Sequence, residues 1–136
     1  MTSQTPTSPA VPPAAAFRQA IERGDVDAAV ALFRADAVFH SPVVYAPYEG
    51  RAALRTILRA VGHVFEDFRY VGEYAGADGP DGGHVLRFRA RVGDRELEGI
   101  DILHTEGGEL TELTVMVRPY SAATALRERM AALLRG

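Results

Sequence analysis

Residues 86–103, LRFRARVGDRELEGIDIL, decide how this chain folds. Gly93-Asp94 sits between two runs in which apolar and charged residues alternate, the signal of a β-hairpin closed by a two-residue turn. Folding back there sets Val92 against Arg95. The ladder then places Arg91 against Glu96, Ala90 against Leu97, Arg89 against Glu98, Phe88 against Gly99 and Leu86 against Asp101. Opposite charges meet on one face. A one-residue slip would set those arginines against apolar side chains, so the alternation itself selects the register. The other face reads Leu86, Phe88, Ala90, Leu97, Gly99, Asp101 and Leu103, apolar with one carboxylate in its middle. Closing the next hairpin with a three-residue loop, Glu106 to Gly108, adds Leu113 beside Asp101, with Val115 and Val117 beyond; a two-residue closure would mix the faces. A carboxylate among leucines is desolvated, so its pKa is expected to rise unless a positive partner is near.

Outward from this hairpin, everything from Phe68 to Arg118 reads as strands parted by Gly-containing turns. Before them, Leu54, Ile57, Leu58, Val61 and Phe65 form an apolar stripe that predicts a helix from about Arg51 to Phe65, with Arg51, Arg55 and Arg59 on another face. Pro42 and Pro47 force an irregular loop, preceded by a short strand from Ala37 to Ser41. Phe17, Ala20 and Ile21 predict a first helix stopped by Gly24. Asp25 is the N-cap of a second, whose apolar positions are Val26, Ala29, Val30 and Phe33. Ser121 can cap a last helix carrying Leu126, Met130, Leu133 and Leu134. Residues 2–13, rich in Thr, Ser and Pro, offer little to bury, which predicts a disordered tail over 1–13 and a single domain over 14–136.

Absences narrow the chemistry. The chain of 136 residues has no Cys, Lys, Asn or Trp, and all 15 of its basic residues are Arg. Thiolate nucleophiles, Cys-ligated metals and lysine Schiff bases are excluded. Ser41 and Ser121 stand in no G-x-S-x-G elbow, and no glycine-rich phosphate loop is present. His40, His63, His84 and His104 lack metal-ligand spacing, so no metal and no cofactor is expected. A net charge of -3 argues against nucleic acid. Neither a secretory signal nor a bilayer-length apolar run is seen, so a cytoplasmic protein without membrane contact is expected.

The order of these elements resembles the nuclear transport factor 2-like superfamily, and within it the SnoaL-like polyketide cyclase and ketosteroid isomerase group. The likeness spans roughly Ala14 to Tyr120 and is carried by FRQAIERGDVDAAVALFRADAVFHSPV (17–43), YEGRAALRTIL (48–58) and GIDILHTEGGELTEL (99–113). It implies an α+β fold, a cone-shaped curved antiparallel sheet packed on N-terminal helices (a cystatin-like roll). A pocket would lie between the long helix and the concave sheet, with a homodimer on the other sheet face. In the isomerases a protonated Asp and a Tyr form the oxyanion hole while a second Asp is the base. Asp101 falls at the oxyanion Asp, but Phe17 falls where the Tyr should be and Ser41 where the base should be. The isomerase mechanism therefore does not transfer residue by residue. An epoxide-hydrolase arrangement would need an Asp near Arg91 and an Asn that this chain lacks.

Two readings of the pocket follow. In one the protein is an enzyme of cyclase, isomerase or hydrolase type. Asp101 is then its acid/base or hydrogen-bond donor, Tyr45 and Tyr48 orient a small apolar or polycyclic molecule, and no cofactor is required. In the other it is a non-catalytic binding or dimerisation module, and Asp101 is a structural carboxylate satisfied by a tyrosine hydroxyl or a helix arginine. Ser41 is then a turn hydroxyl. Expected binding positions are Phe17, Phe33, Ser41, Tyr45 and Tyr48 before the long helix and Leu58 on it. On the sheet they are Leu86, Phe88, Leu103, Leu113 and Val115. The opposite face, with Arg87, Arg89, Ile100 and Ile102, is the expected homodimer surface.

Overall fold

Proline at the first helical position and Ala14, Phe17 and Ala20 on one buried face start α1 (Pro13–Glu22), in a computed structural model that describes residues 11–77, 79 and 81–135. The expected tail over 1–13 lies outside the described residues up to position 10, and Pro13 already belongs to the helix. Gly24, in the left-handed region at φ 73°, turns the chain into α2 (Val26–Ala31). Asp25 caps α2, its carboxylate accepting from the Ala28 amide at 3.0 Å. Replacing it by Ala is expected to remove about 1 kcal/mol of stability, read as a lower urea midpoint.

Helix α2 stops before Phe33, which instead opens β1 (Phe33–His40). Helical spacing and burial both suited Phe33, yet its fully buried ring meets Phe17 edge-on from a strand, with centroids 5.9 Å apart. After β2 (Tyr48–Glu49) comes α3 (Arg51–Val64), which buries Leu54, Ile57, Ala60 and Val64. Its Arg55 and Arg59 each reach Asp27 of α2 at 3.0 Å. The chain continues through β3 (Glu66–Ala75), β4 (Gly82–Val92), β5 (Arg95–Glu106), β6 (Glu109–Arg118) and α4 (Tyr120–Arg135). Ser121 lies inside the first turn of α4 and does not open it; the Pro119 carbonyl accepts from the Ala122 and Ala123 amides.

The strands form one curved, unclosed sheet of six in the order β2-β1-β6-β5-β4-β3, antiparallel except where β1 runs parallel to β6. The β4–β5 ladder has the register that the charge pattern selects, from Val92 opposite Arg95 to Leu86 opposite Asp101. Gly93 at φ 63° supplies the turn. The β5–β6 hairpin differs from expectation. It closes on two residues, Gly107 and Gly108, both at positive φ (59° and 82°), with Glu106 opposite Glu109. The faces do not mix, because the register shifts once: Thr105 pairs with Leu110 and His104 with Glu112, leaving Thr111 as a bulge whose hydroxyl donates to the His104 carbonyl at 3.3 Å. Asp101 therefore stands opposite Val115, and Leu113 opposite Leu103.

Candidate functional site

Between the inward face of the sheet and the helices lies a cavity of about 1040 Å³. Phe17 of α1, Leu58 of α3, Tyr48 of β2, Phe88 of β4, and Leu113 and Val115 of β6 line it, with Ser41 from the loop after β1. Asp101 is on the wall, 6% exposed. Four expected positions are elsewhere. Leu86, Leu103 and Phe33 are fully buried in the core and do not line the cavity; Phe33 packs there from the start of β1, its ring edge-on to Phe17. Tyr45 is 101% exposed. Ser41 Oγ accepts from the Val43 and Val44 amides at 3.0 and 3.2 Å, a turn that puts Val43 and Val44 on the cavity and leaves Tyr45 in solvent.

Tyr70 is the group that the hairpin register did not reveal. It rises from β3, where it pairs with Phe88, reaches over β4, and donates its hydroxyl to Asp101 Oδ2 at 2.8 Å. Phe68 and Phe88 stand edge-on to its ring, at 5.0 and 6.5 Å. Among the described residues this is the side-chain hydrogen bond that the Asp101 carboxyl receives. Phe68 and Tyr70 alternate as inward residues do, a signal that could have marked Tyr70. Its pairing could not be counted, because β3 and β4 are joined by no two-residue turn and their ladder shifts register twice.

Burial raises the Asp101 carboxyl to a pKa of about 7, and the Tyr70 hydrogen bond offsets this only in part. The same burial, with the neighbouring carboxylate, holds the Tyr70 phenol far above its ordinary value, so it stays a donor. Asp101 near neutrality is thus part protonated, able to give a hydrogen bond or a proton to an oxygen in the cavity. Around it the wall is apolar and aromatic: Phe39, Ile57, Phe65 and Phe68, with Leu126 and Met130 of α4. Charged groups, among them Asp27, Arg59 and Arg127, are exposed at its rim. His63, in the last turn of α3, also borders it. His40 turns away and meets Glu112 at 2.6 Å. No cluster of three or more metal-ligating side chains occurs among the described residues, and none of their helices is long and apolar enough to cross a membrane.

The geometry has parallels. A steroid delta-isomerase from Pseudomonas aeruginosa is 42% identical, with 93% of this chain and 95% of that one covered and a TM-score of 0.84. A protein with a cystatin-like fold from Silicibacter pomeroyi is 30% identical over 91% and 86% of the two chains, with a TM-score of 0.83. SalBIII, an epoxide hydrolase/cyclase-like enzyme of pyran ring formation in the polyether salinomycin, shares the fold at 22% identity, over 81% and 90% of the chains, with a TM-score of 0.64. No curated protein matches the chain. The SnoaL-like domain description matches residues 14–113. The chain belongs to the SnoaL-like domain family and has the nuclear transport factor 2-like fold.

Proposed function

We propose that this protein binds an apolar, carbonyl-bearing polycyclic molecule in the cavity, and that protonated Asp101, steadied by Tyr70, donates to the carbonyl oxygen in a cofactor-independent proton transfer. The observation that carries this reading is a buried carboxyl on a largely apolar wall, held by the Tyr70 hydroxyl at 2.8 Å, where desolvation raises its pKa to about 7. A donor fixed before the substrate arrives stabilises charge developing on oxygen without solvent reorganisation. The likeness to a steroid delta-isomerase supports a steroid-sized ligand. The double-bond shift that follows uses one carboxyl: the position of the second Asp is taken by Ser41, whose oxygen already accepts two amides, so water takes the proton lost from the α carbon and returns one to the γ carbon.

The test uses a β,γ-unsaturated 3-oxosteroid, with binding read by calorimetry and conjugation by absorbance. Asp101→Leu is expected to lose about a hundredfold or more of turnover, while Asp101→Asn, which keeps a donor, loses less. Activity is expected to decline as pH rises through about 7, where the donor proton leaves. Saturable binding without turnover would favour the binding-module reading, for which Phe17 and Ser41 speak. An absence of binding would sink the ligand class.

We propose also a homodimer through the outer sheet face, where half-buried Ile100 and Ile102 lie among exposed Met116 and Tyr74 and the Arg87–Glu98 and Arg118–Glu98 ion pairs. Sedimentation should give a dimer for the native chain and a monomer for Ile100→Glu/Ile102→Glu; a monomeric native chain would refute it.

A further inference from the structure

Arg18 is not among the residues that line the cavity, yet it touches the residue that holds Asp101. Its guanidinium carbon lies 5.5 Å from the centroid of the Tyr70 ring. Two carboxylates hold it there: Nε donates to Glu22 at 3.1 Å and Nη1 to Glu73 at 3.0 Å. The second oxygen of Glu73 meets His84 Nε2 at 3.2 Å, which fixes Glu73 in turn. Elements far apart in the chain, α1, β3 and β4, thus converge on one half-buried arginine above one phenol.

We propose that Arg18 is a positioning residue for Asp101: clamped by Glu22 and Glu73, its guanidinium lies on the Tyr70 ring and fixes the phenol whose hydroxyl is bonded to the Asp101 carboxyl. The proposal rests on Asp101 acting as the donor in the cavity. A cation against a ring is attracted by the electron-rich face and draws density from it. The phenol hydroxyl becomes a stronger donor, and a stronger donor favours the charged form of the carboxyl that accepts from it. Arg18 thereby limits how far burial lifts the proton affinity of Asp101. The charged and titratable groups facing the Tyr70 ring or its clamp are Arg18 and Glu22 from α1, Glu73 from β3, His84 from β4 and Asp101 from β5. Glu22 opposes the effect of Arg18 on the phenol.

The experiment is a carbon-13 carboxyl NMR titration of Asp101, assigned with Asp101→Asn, in the native protein, Arg18→Met and Arg18→Lys. Arg18→Met is expected to move the Asp101 midpoint up by about 0.4 pH unit, a fraction of a cation–π contact. Arg18→Lys, which keeps a cation over the ring, recovers at least half of that movement. In a Tyr70→Phe background Arg18→Met moves nothing further. An unchanged midpoint in folded Arg18→Met overturns the proposal, and so does an equal movement in the Tyr70→Phe background. Should Arg18→Met not fold, Glu73→Gln loosens the same clamp, and a midpoint unmoved in that variant overturns the proposal as well. A native midpoint near that of a free Asp would sink the donor reading by itself, whereas Arg18 is judged on the difference between variants.

Discussion

Replacing Asp101 by Asn is expected to remove a fall in stability that the native protein suffers between about pH 4 and pH 7. In the unfolded chain an aspartate titrates near ~3.9; in the folded protein Asp101 does so at about 7. Between those values the folded state holds a proton that the unfolded state has released, so the unfolding free energy decreases as pH rises. The contribution is fully present below ~3.9 and gone above about 7. Each tenfold in proton affinity is ~1.4 kcal/mol, so the whole effect is on the order of 4 kcal/mol. Other carboxylates act with the opposite sign: Glu73, held low first by His84, and Glu98, held low first by Arg87, lose stability as pH falls. They are common to both proteins and cancel in the difference. Urea titrations at pH 4 and pH 8 should therefore show the variant gaining on the native chain by on the order of 4 kcal/mol. A constant gap would mean that Asp101 ionises as it would in water, and the case for a poised donor would fail with it.

Gly99→Ala is expected to destabilise the protein by about 3 kcal/mol, the upper end for overpacking. A Cβ there would collide with the Phe88 ring and lie 2.7 Å from the Met116 carbonyl oxygen. Gly99 pairs with Phe88 on one side and Val117 on the other, both in central strands, so the backbone cannot give way without breaking two ladders. The ring must move instead, and Phe88 is both cavity wall and neighbour of Phe65, Phe68 and Tyr70. Loss of the Tyr70 bond to Asp101 should follow. Thermal unfolding measures the first effect and the Asp101 titration the second; a variant with native stability would show that the sheet yields where close packing says it should not.

The β4–β5 hairpin was legible because charge alternation and a tight turn leave a single register, and with it came the inward placement of Asp101. The family order was legible for a related reason, since Gly24-Asp25, the Ser41-Pro42 corner and the long helix are recognised by their order and spacing, and all lie within the matched residues 14–113. What escaped was decided by contacts between elements distant in the chain. Phe33 satisfied helical periodicity as well as strand burial, and local spacing cannot separate the two. Tyr45 was placed by a loop whose course depends on how Ser41 turns it. The Gly107-Gly108 pair was a plain two-residue turn signal, set aside because the compensating bulge is invisible until the strands are laid side by side.

That bulge has a consequence for lengths of chain. Thr111 is the residue with no opposite number, so a chain lacking it would keep Leu110 against Thr105, Glu112 against His104 and Val115 against Asp101. Loss of either turn glycine, by contrast, would transpose every inward and outward side chain that follows in β6. Homologous chains should therefore tolerate a one-residue gap at 111 and reject one at 107 or 108. A gap at 111 would cost the bend that a bulge puts into its strand, and a flatter β6 means a shallower chamber, so the length of this hairpin sets the depth of the chamber.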